Sequence, residues 1–144
     1  MVAVCAISIF IFVGLGGCQT IAEKREQTRL EKALHAYELT FRWGDLRNID
    51  NFAMAYQGRM PLGVENADRV RIISYEVMSG PEAIDETTAV QVVAIQYIVR
   101  DTQVRKKIID RQVWHYLPEE KAWKRISDAP VFALYGHGRP HVGF

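Results

Sequence analysis

The spacing of apolar residues changes once along this chain, near residue 70, and that change limits the folds open to it. Before it, apolar residues recur three and four positions apart, which is the period of a helix with one buried face. After it, they alternate with polar residues, as in the strands of a half-buried sheet. Helices followed by strands predict an α+β domain in which the helices pack on one face of an antiparallel sheet.

Two helices are expected in the first part. The first has its apolar stripe at Leu30, Ala33, Leu34, Tyr37 and Phe41, and less strictly at Leu39. Gly44 is a good stop for this helix, and Asp45 is a good N-cap for the next. The second helix would carry Leu46, Ile49, Ala53 and Tyr56 on one stripe and end by Gly58. Residues 59–68, with a proline and a glycine, predict a loop.

Four strands are expected in the second part, at 70–78, 88–100, 104–117 and 122–126. Ser79-Gly80-Pro81, Asp101-Thr102-Gln103 and Pro118-Glu119-Glu120-Lys121 supply the turns between them. Along the third strand, alternation places Arg105, Lys107, Ile109, Arg111 and Val113 on one face. Ile108, Trp114 and Tyr116 fall on the other face, so the sheet is expected to have one polar and one apolar side.

An apolar run without charged side chains opens the chain, at 2–13. About 12 residues match the apolar region of a secretory signal, whereas a membrane span needs roughly 20. Gly14, Gly16 and Gly17 then disfavour a helix and leave an extended segment that a peptidase can bind. Removal of residues 1–17 would leave about 127 residues, which is one domain of ordinary size.

The residues that close this run are Leu15-Gly16-Gly17-Cys18, and they resemble the lipobox of bacterial lipoproteins. The resemblance implies that Cys18 carries diacylglycerol on its sulfur, that the signal is cleaved before it, and that the new amine is acylated. Two or three acyl chains give lasting attachment to a bilayer where one does not. Gln19, in place of an aspartate, implies the outer membrane. The alternative is an uncleaved N-terminal anchor in which Cys18 is an ordinary residue.

The segment after the cysteine is expected to be a charged helical stalk, at 18–29. Thr20 and Glu23 form the pattern of a capping box, so a helix should begin almost at the lipid. The full division is then a signal at 1–17, the stalk at 18–29, the folded domain at 30–128 and a flexible tail at 129–144. The tail contains His137 and His141, which could share a metal only within a helix, and its glycines and proline exclude that helix.

Composition excludes several classes of function. A net charge of +1 argues against a nucleic-acid partner. The two cysteines are Cys5 and Cys18. Once the signal is removed, a disulfide within the chain, a cysteine zinc site and thiol catalysis are all excluded. No phosphate loop, nucleotide fingerprint or hydrolase motif is present, so no cofactor and no metal are expected.

Two stretches of the domain resemble NTF2-like (cystatin-like roll) proteins. Residues 37–46, running into Ile49 and Phe52-Ala53, are similar to the first two helices of that family, which often meet at a Gly-Asp turn. Residues 112–117 and 121–126 are similar to its final hairpin, in which a tryptophan commonly opens the last strand. The resemblance covers residues 30–128 and implies two helices on a curved sheet of about four strands. Enzymes of the family place acid–base residues in the cone between sheet and helices, and other members bind, dimerise or scaffold.

The side chains that could carry chemistry are few. His115 could act as a general base paired with Asp110 or Asp45, or it could be a packed strand residue. His35 is expected on the exposed flank of the first helix. The aromatic residues could line an apolar pocket or simply form the core; they are Tyr37, Phe41, Trp43, Tyr75, Tyr97, Trp114 and Trp123.

The leading hypothesis is therefore a membrane-anchored envelope lipoprotein of the outer membrane, facing the periplasm, whose domain binds or assembles and does not catalyse. Its partners would be the bilayer, through acylated Cys18, and a second copy or an envelope complex, through an exposed sheet face with Val, Ile and Trp among Arg and Lys. The alternative is a periplasmic enzyme or small hydrophobic-ligand carrier that uses the cone, with Asp45 and His115 as its polar residues. A spacer without any ligand is a third possibility.

Overall fold

The computed structural model describes residues 17–135 of the chain, and side chains from residue 23 onward. In chain order the elements are helix α1 (Gly17–Trp43), 3-10 helices at Leu46–Phe52 and Ala67–Arg69, and strands β1 (Val70–Ala83), β2 (Thr88–Val99), β3 (Arg105–Leu117) and β4 (Ala122–Arg125). The strands form one antiparallel sheet in the order β1-β2-β3-β4. The α+β fold class, with helices on a curved sheet, is confirmed.

Helix α1 follows the predicted apolar stripe. Leu30, Leu34, Tyr37 and Phe41 are buried against the sheet, whereas Leu39 is exposed. The helix ends before Gly44, as predicted, and the amide of Gly44 donates to the carbonyl of Thr40 at 3.1 Å.

The start of α1 was predicted wrongly. Gly17, expected in an extended segment, is already helical, so Thr20 lies inside the helix and is not its N-cap. Once a helix is nucleated, each added residue gains one hydrogen bond at modest entropic cost, so a single glycine does not stop it.

The stalk predicted at 18–29 is not separate from the domain. The indole Nε1 of Trp123 donates to the carbonyl oxygen of Glu26 at 3.1 Å, and Nη1 of Arg29 donates to the hydroxyl of Tyr116 at 3.0 Å. The charged surface of this segment is mostly solvated, but a backbone carbonyl and an arginine side chain still contact β3 and β4. Helix α1 therefore contacts the sheet from Glu26 onward, four residues before the predicted boundary.

The predicted second helix is shorter and tighter than expected. It is the 3-10 helix Leu46–Phe52, and Asp45 is its N-cap as predicted, because its carboxylate accepts from the amide of Arg47 at 3.0 Å. Ala53 forms a parallel bridge with Arg125, so pairing with the edge of β4 ends the helix there. Tyr56 follows in a tight turn and lies beyond the helix.

Strand β1 is longer than predicted. Ser79-Gly80-Pro81 does not end it; the strand continues to Ala83, with irregular register between Val77 and Glu82. Gly80 adopts φ +91°, and an added Cβ there would lie 2.5 Å from the carbonyl oxygen of Val90. Because β1 is an edge strand, Pro81 has no neighbour that needs its missing amide hydrogen.

The other three strands match their predicted ranges within one residue at each end. On β3, burial alternates as predicted, with Trp114 and Tyr116 buried beneath α1 and Arg105, Lys107 and Arg111 exposed on the opposite face.

The tail, predicted to be flexible from residue 129, is packed through residue 135. Phe132 is fully buried and meets the ring of Tyr97 edge-on, with centroids 5.0 Å apart. The amide of Asn66 donates to the carbonyl of Phe132 at 3.2 Å, and the hydroxyl of Tyr97 donates to that of Ala133 at 3.1 Å. These contacts close the part of the core that α1 does not cover. Residues 136–144 lie outside the described part of the chain.

Candidate functional site

Asp45 acts as a helix cap at the surface. Arg47 binds its carboxylate with both backbone amide and guanidinium, and these hydrogen bonds hold the pKa of Asp45 below its ordinary value. A carboxylate that is exposed, ion-paired and low in pKa is a poor proton acceptor for chemistry near neutral pH. Its capping role accounts for its presence.

His115 lies on the sheet face away from α1. It pairs with Thr88 on β2 and Lys124 on β4, and its ring packs against Tyr56 with centroids 4.7 Å apart. Its Nδ1 atom is buried and has no hydrogen-bond partner among the described residues. Of the two predictions for His115, general base or packed strand residue, the structure matches the second.

The structure does not bring the predicted acid–base residues together. Asp110 is buried on the face of β3 that α1 covers, five positions before His115 and therefore on the opposite side of the sheet. Asp45 lines a cleft at the C-terminal end of α1, and His115 does not line that cleft. The pairing of His115 with Asp45 or Asp110 is therefore wrong.

A cluster of buried polar side chains lies beneath α1 instead, and we call it the core polar cluster. Its members are Tyr37 of α1, Tyr75 of β1, Gln91 of β2, Asp110 and Gln112 of β3, and Arg125 of β4. The Nε2 atom of Gln112 lies 2.8 Å from both the hydroxyl of Tyr75 and Oδ2 of Asp110, and donates to both. Each strand of the sheet thus contributes at least one polar group to the interior.

Burial controls the electrostatics of this cluster. Desolvation raises the pKa of Asp110 to about 6, against the opposing effects of the Gln112 hydrogen bond and the positive charge of Arg125. Desolvation also raises the pKa of Tyr75, and it raises that of Tyr37 well above the ordinary value, with Asp110 adding to both. The two phenols are therefore neutral at physiological pH, and their hydroxyl oxygens accept hydrogen bonds from Gln112 and Arg125.

Arg125 is the fully buried cation of the cluster. Its Nη1 donates to the hydroxyl of Tyr37 at 3.3 Å, and its guanidinium carbon lies 5.6 Å from the centre of that ring. Its Nη2 is 4.0 Å from a carboxylate oxygen of Asp50, which is the limit of an ion pair. Within the described residues Nε and Nη2 have no hydrogen-bond partner, so this charge is held mainly by longer-range attraction to Asp110 and Asp50.

A raised carboxyl pKa beside two phenols is suited to proton transfer, but a substrate needs access. No member of the core polar cluster is more than 5% exposed. Buried and mutually bonded polar groups of this kind specify how elements pack, since any other arrangement leaves them unsatisfied. We therefore assign the cluster to packing.

Sequence reasoning missed this cluster, although part of its signal is visible. Asp110 and Gln112 occupy the same alternating positions as Ile108 and Trp114, which places them on the apolar face. Arg125 likewise follows two positions after Trp123. Polar residues in phase with an apolar stripe are the available signal for a buried network.

The face of the sheet opposite α1, which we call the outer sheet face, is covered by no helix of the described chain. Pairing aligns its residues in rows across β1, β2 and β3: Ser74–Gln96–Lys107, Glu76–Ala94–Ile109, Ser79–Val92–Arg111 and Glu82–Val90–Val113. The two strand tryptophans, Trp114 and Trp123, lie on the other face, so the expectation of tryptophan here is wrong. A fifth row, Arg71–Ile98–Arg105, lies at the end nearest the start of β1. Over the other four rows the face has acidic side chains on β1, mainly apolar ones on β2 and basic ones on β3.

The remaining predicted sites can be placed only in part. The backbone of Cys18 belongs to α1, while its side chain, His137 and His141 fall outside the description. His35 is exposed, as expected. Among the aromatic residues proposed for a pocket, Trp43 is exposed and the other six are in the core. No group of three or more histidine, cysteine or acidic side chains within residues 23–135 could hold a metal, and no helix described here is long and apolar enough to cross a bilayer.

Comparison with known proteins gives no family. No protein-family model matches the chain, and no curated protein matches it.

Proposed function

We propose that this chain is an outer-membrane lipoprotein, anchored through acylated Cys18, whose domain assembles with a second copy through the outer sheet face. The proposal that two copies assemble rests on the charge pattern of that face. The segment 1–18, with its apolar run and the lipobox-like Leu15-Gly16-Gly17-Cys18, supports the anchor.

The outer sheet face has the composition of an interface. Its central strand presents Val90 and Val92, and Ile109 on β3 is 49% exposed, while Ala94 between these rows is buried. Apolar side chains in a contiguous area, rimmed by charge, are typical of surfaces that bind another protein. Pairing of β2 with β3 extends over eleven residue pairs, so three strands span roughly 35 Å by 15 Å. That area is at the low end for a stable complex, and we expect a dimer of moderate affinity.

The distribution of charge selects one arrangement. Glu76 and Glu82 lie on β1, whereas Lys107 and Arg111 lie on β3 in adjacent rows. A two-fold axis parallel to β2 would place β1 of one copy over β3 of the other. Glu76 and Glu82 would then face Ile109 and Val113 of their own rows, with the bases Lys107 and Arg111 one row away, within reach of long side chains. A two-fold axis across the strands would place acids over acids and bases over bases, which is unfavourable. We therefore propose the first arrangement, in which the β2 strands of both copies lie along the axis.

The anchor is tested by intact mass of the protein made in a bacterium, with Cys18→Ser beside it. We expect the native chain to lose residues 1–17 and to gain a lipid mass, and the variant to keep the full mass from Met1. A full mass in both proteins would mean an uncleaved anchor and would remove the argument for the outer membrane that rests on Gln19.

Assembly is tested in place by cysteine crosslinking in the oxidising envelope. Val92 lies on the central strand, so Val92→Cys should join two copies as a disulfide-linked dimer on a non-reducing gel. Gln27→Cys, exposed on α1, is the matched control and should remain monomeric. The unaltered chain shows any crosslink that arises from Cys18 itself.

Charge exchange then tests the arrangement. We expect Glu82→Arg or Arg111→Glu alone to weaken the Val92→Cys crosslink by about fivefold or more, and the two together to restore it. Arg25→Glu, which changes a charge on α1, should have no effect. Loss of the crosslink in the double variant would contradict the proposed two-fold axis, and a dimer band from Gln27→Cys of equal strength would contradict the interface.

A further inference from the structure

A surface cleft of about 480 Å³ lies at the C-terminal end of α1, and we call it the distal cleft. The last turn of α1, the two 3-10 helices, the start of β1 and the turn after β2 enclose it. Its volume is within the range of small-molecule sites and is too large for an inorganic ion alone.

Arginine dominates the charge of the distal cleft. Arg42, Arg47, Arg71 and Arg100 line it, against two lining carboxylates, Asp45 and Asp68. The C-terminal end of a helix adds about half a negative charge nearby. The formal balance remains positive by more than one charge, so the cleft attracts anions.

Two of the four arginines are engaged within the fold. Arg47 is bound by Asp45, and Arg42 donates to Glu38 and to the carbonyl of Tyr75. The other two, Arg100 and Arg71, keep hydrogen-bond donors that no described residue uses.

Arg100 uses its Nε for the carbonyl of Val70 at 2.9 Å, and no partner of its two terminal nitrogens is found in the described chain. The side chain of Arg71 has neither a hydrogen bond nor an ion pair with any described residue. Planar guanidinium groups with free donors recognise carboxylate and phosphate through paired hydrogen bonds.

The lining of the cleft is not only charged. Trp43 is 81% exposed, the largest exposed fraction among the large apolar side chains of the described chain, and Phe41 and Leu46 lie buried beneath. Burying an indole of this size in a ligand contact would recover apolar surface that the fold leaves in water. An aromatic face beside free guanidinium groups fits a ring that carries an acidic group.

We propose that the distal cleft binds a small organic anion in which a carboxylate or phosphate is attached to a ring. The acidic group binds Arg71 and Arg100, and the ring packs against Trp43. The carboxylate and phosphate versions share this chemistry and are separated by the probes below. This site does not need the lipid anchor. Arg71 pairs with Ile98 and so borders the outer sheet face, one row beyond the four rows of the proposed dimer, whereas Trp43 belongs to α1.

The test is calorimetric titration of the full chain, purified in non-ionic detergent, with benzoate, phenyl phosphate, inorganic phosphate and neutral benzyl alcohol. We expect saturable binding of benzoate or phenyl phosphate, whichever acid group the arginines prefer. Inorganic phosphate should bind more weakly because it lacks the ring, and benzyl alcohol should not bind. Quenching of tryptophan emission should accompany binding, because Trp114 and Trp123 are buried and Trp43 is the indole in contact with solvent.

Matched variants locate the site. Arg100→Gln and Arg71→Gln should each weaken binding of the acidic probe about tenfold, the usual effect of losing a charge-assisted hydrogen bond. Arg25→Gln, an exposed arginine of α1, should bind like the unaltered chain. Trp43→Phe should remove the emission change but keep calorimetric binding within a few fold.

Unchanged thermal midpoints would show that the glutamine variants are folded. Absence of saturable binding by any acidic probe, or equal weakening by Arg25→Gln, would overturn the proposal. Equal binding of benzyl alcohol would also overturn it, because recognition would then not depend on charge.

Discussion

Two opposite charges, Asp110 and Arg125, are buried in the same core without a direct hydrogen bond to each other in the structure. Gln112 connects Asp110 to Tyr75, while Arg125 is bonded to Tyr37. Removal of one partner of such a pair generally destabilises more than the pair stabilises, since it leaves the other charge buried and unpaired. At this scale, the consequence that can be measured is a pH dependence of stability.

Asp110 should make the protein less stable as pH rises from about 4 to 6. Its folded pKa of about 6 exceeds the ordinary value of 3.8, so in this window the folded state keeps a proton that the unfolded state has lost. The free energy of unfolding therefore falls with pH by up to roughly 3 kcal/mol and then stays level above about pH 6. Urea unfolding across this range measures it.

The matching variant is Asp110→Asn, which cannot titrate. The variant loses a charged partner for Arg125, which lowers its stability at every pH where Asp110 is ionised in the unaltered chain. Because the unaltered chain loses stability between pH 4 and 6 and the variant does not, the stability of the variant relative to the unaltered chain should rise over this range. Glu119→Gln, in the exposed turn after β3, serves as the control. Parallel pH curves for Asp110→Asn and the unaltered chain would show that Asp110 keeps an ordinary pKa.

At the scale of elements, the main difference from the sequence-based prediction is that the C-terminal segment is packed into the core. Residues 129–135 have no regular secondary structure, yet Ala129, Phe132 and Ala133 connect the loop before β1 to the far end of β2. The segment covers the part of the apolar face that lies beyond α1.

Phe132→Ala should therefore destabilise the fold by about 3–4 kcal/mol, as large-to-small changes in packed cores do. Val131→Ala, at a neighbouring side chain that is 37% exposed, should cost less than about 1 kcal/mol. Denaturant midpoints of the two variants give the comparison. A loss of similar, small size in both would contradict the packing of this segment.

The sequence predicted those elements whose residues repeat with a local period. Alternation along β3 placed Trp114 inside and Arg111 outside, and the spacing of Leu30, Leu34 and Tyr37 predicted the buried face of α1. Each of these patterns lies within a single helix or strand, so its buried face can be predicted without knowing how the elements are arranged.

Features that depend on distant contacts were not predictable in this way. The second helix stops at Ala53 because β4 pairs with it, and Phe132 is buried because Tyr97 receives it. The core polar cluster is intermediate: alternation marks Asp110 and Gln112 as inward, but only the position of α1 over the sheet brings Tyr37 to Arg125.

At the scale of the whole molecule, α1 is packed against the sheet along much of its length. Trp123 contacts the backbone of α1 near its beginning, and Phe41 contacts Tyr75 near its end, with ring centroids 5.4 Å apart. The helix is therefore supported along most of its length by side chains from three strands.

Far-UV circular dichroism and tryptophan fluorescence should consequently report the same urea transition. Helix α1 dominates the first signal, and the second follows Trp114 and Trp123 beneath it. Coincident midpoints are the mark of two-state unfolding. Loss of helix signal at lower urea than the fluorescence change would mean that α1 detaches first and that its N-terminal part is a separate stalk after all.

The single helix from Gly17 to Trp43 has a consequence for how copies of an anchored chain would meet. Its 27 residues span about 40 Å, and its contacts begin at Glu26, so a chain anchored through Cys18 is held by a stiff support and not by a tether. Such a molecule would diffuse and rotate in the plane of the membrane, with its domain held close to the surface. Neighbours then search for each other in two dimensions, with much of the orientational entropy of pairing already lost at anchoring. A contact too weak to form a dimer in dilute solution can suffice on such a surface.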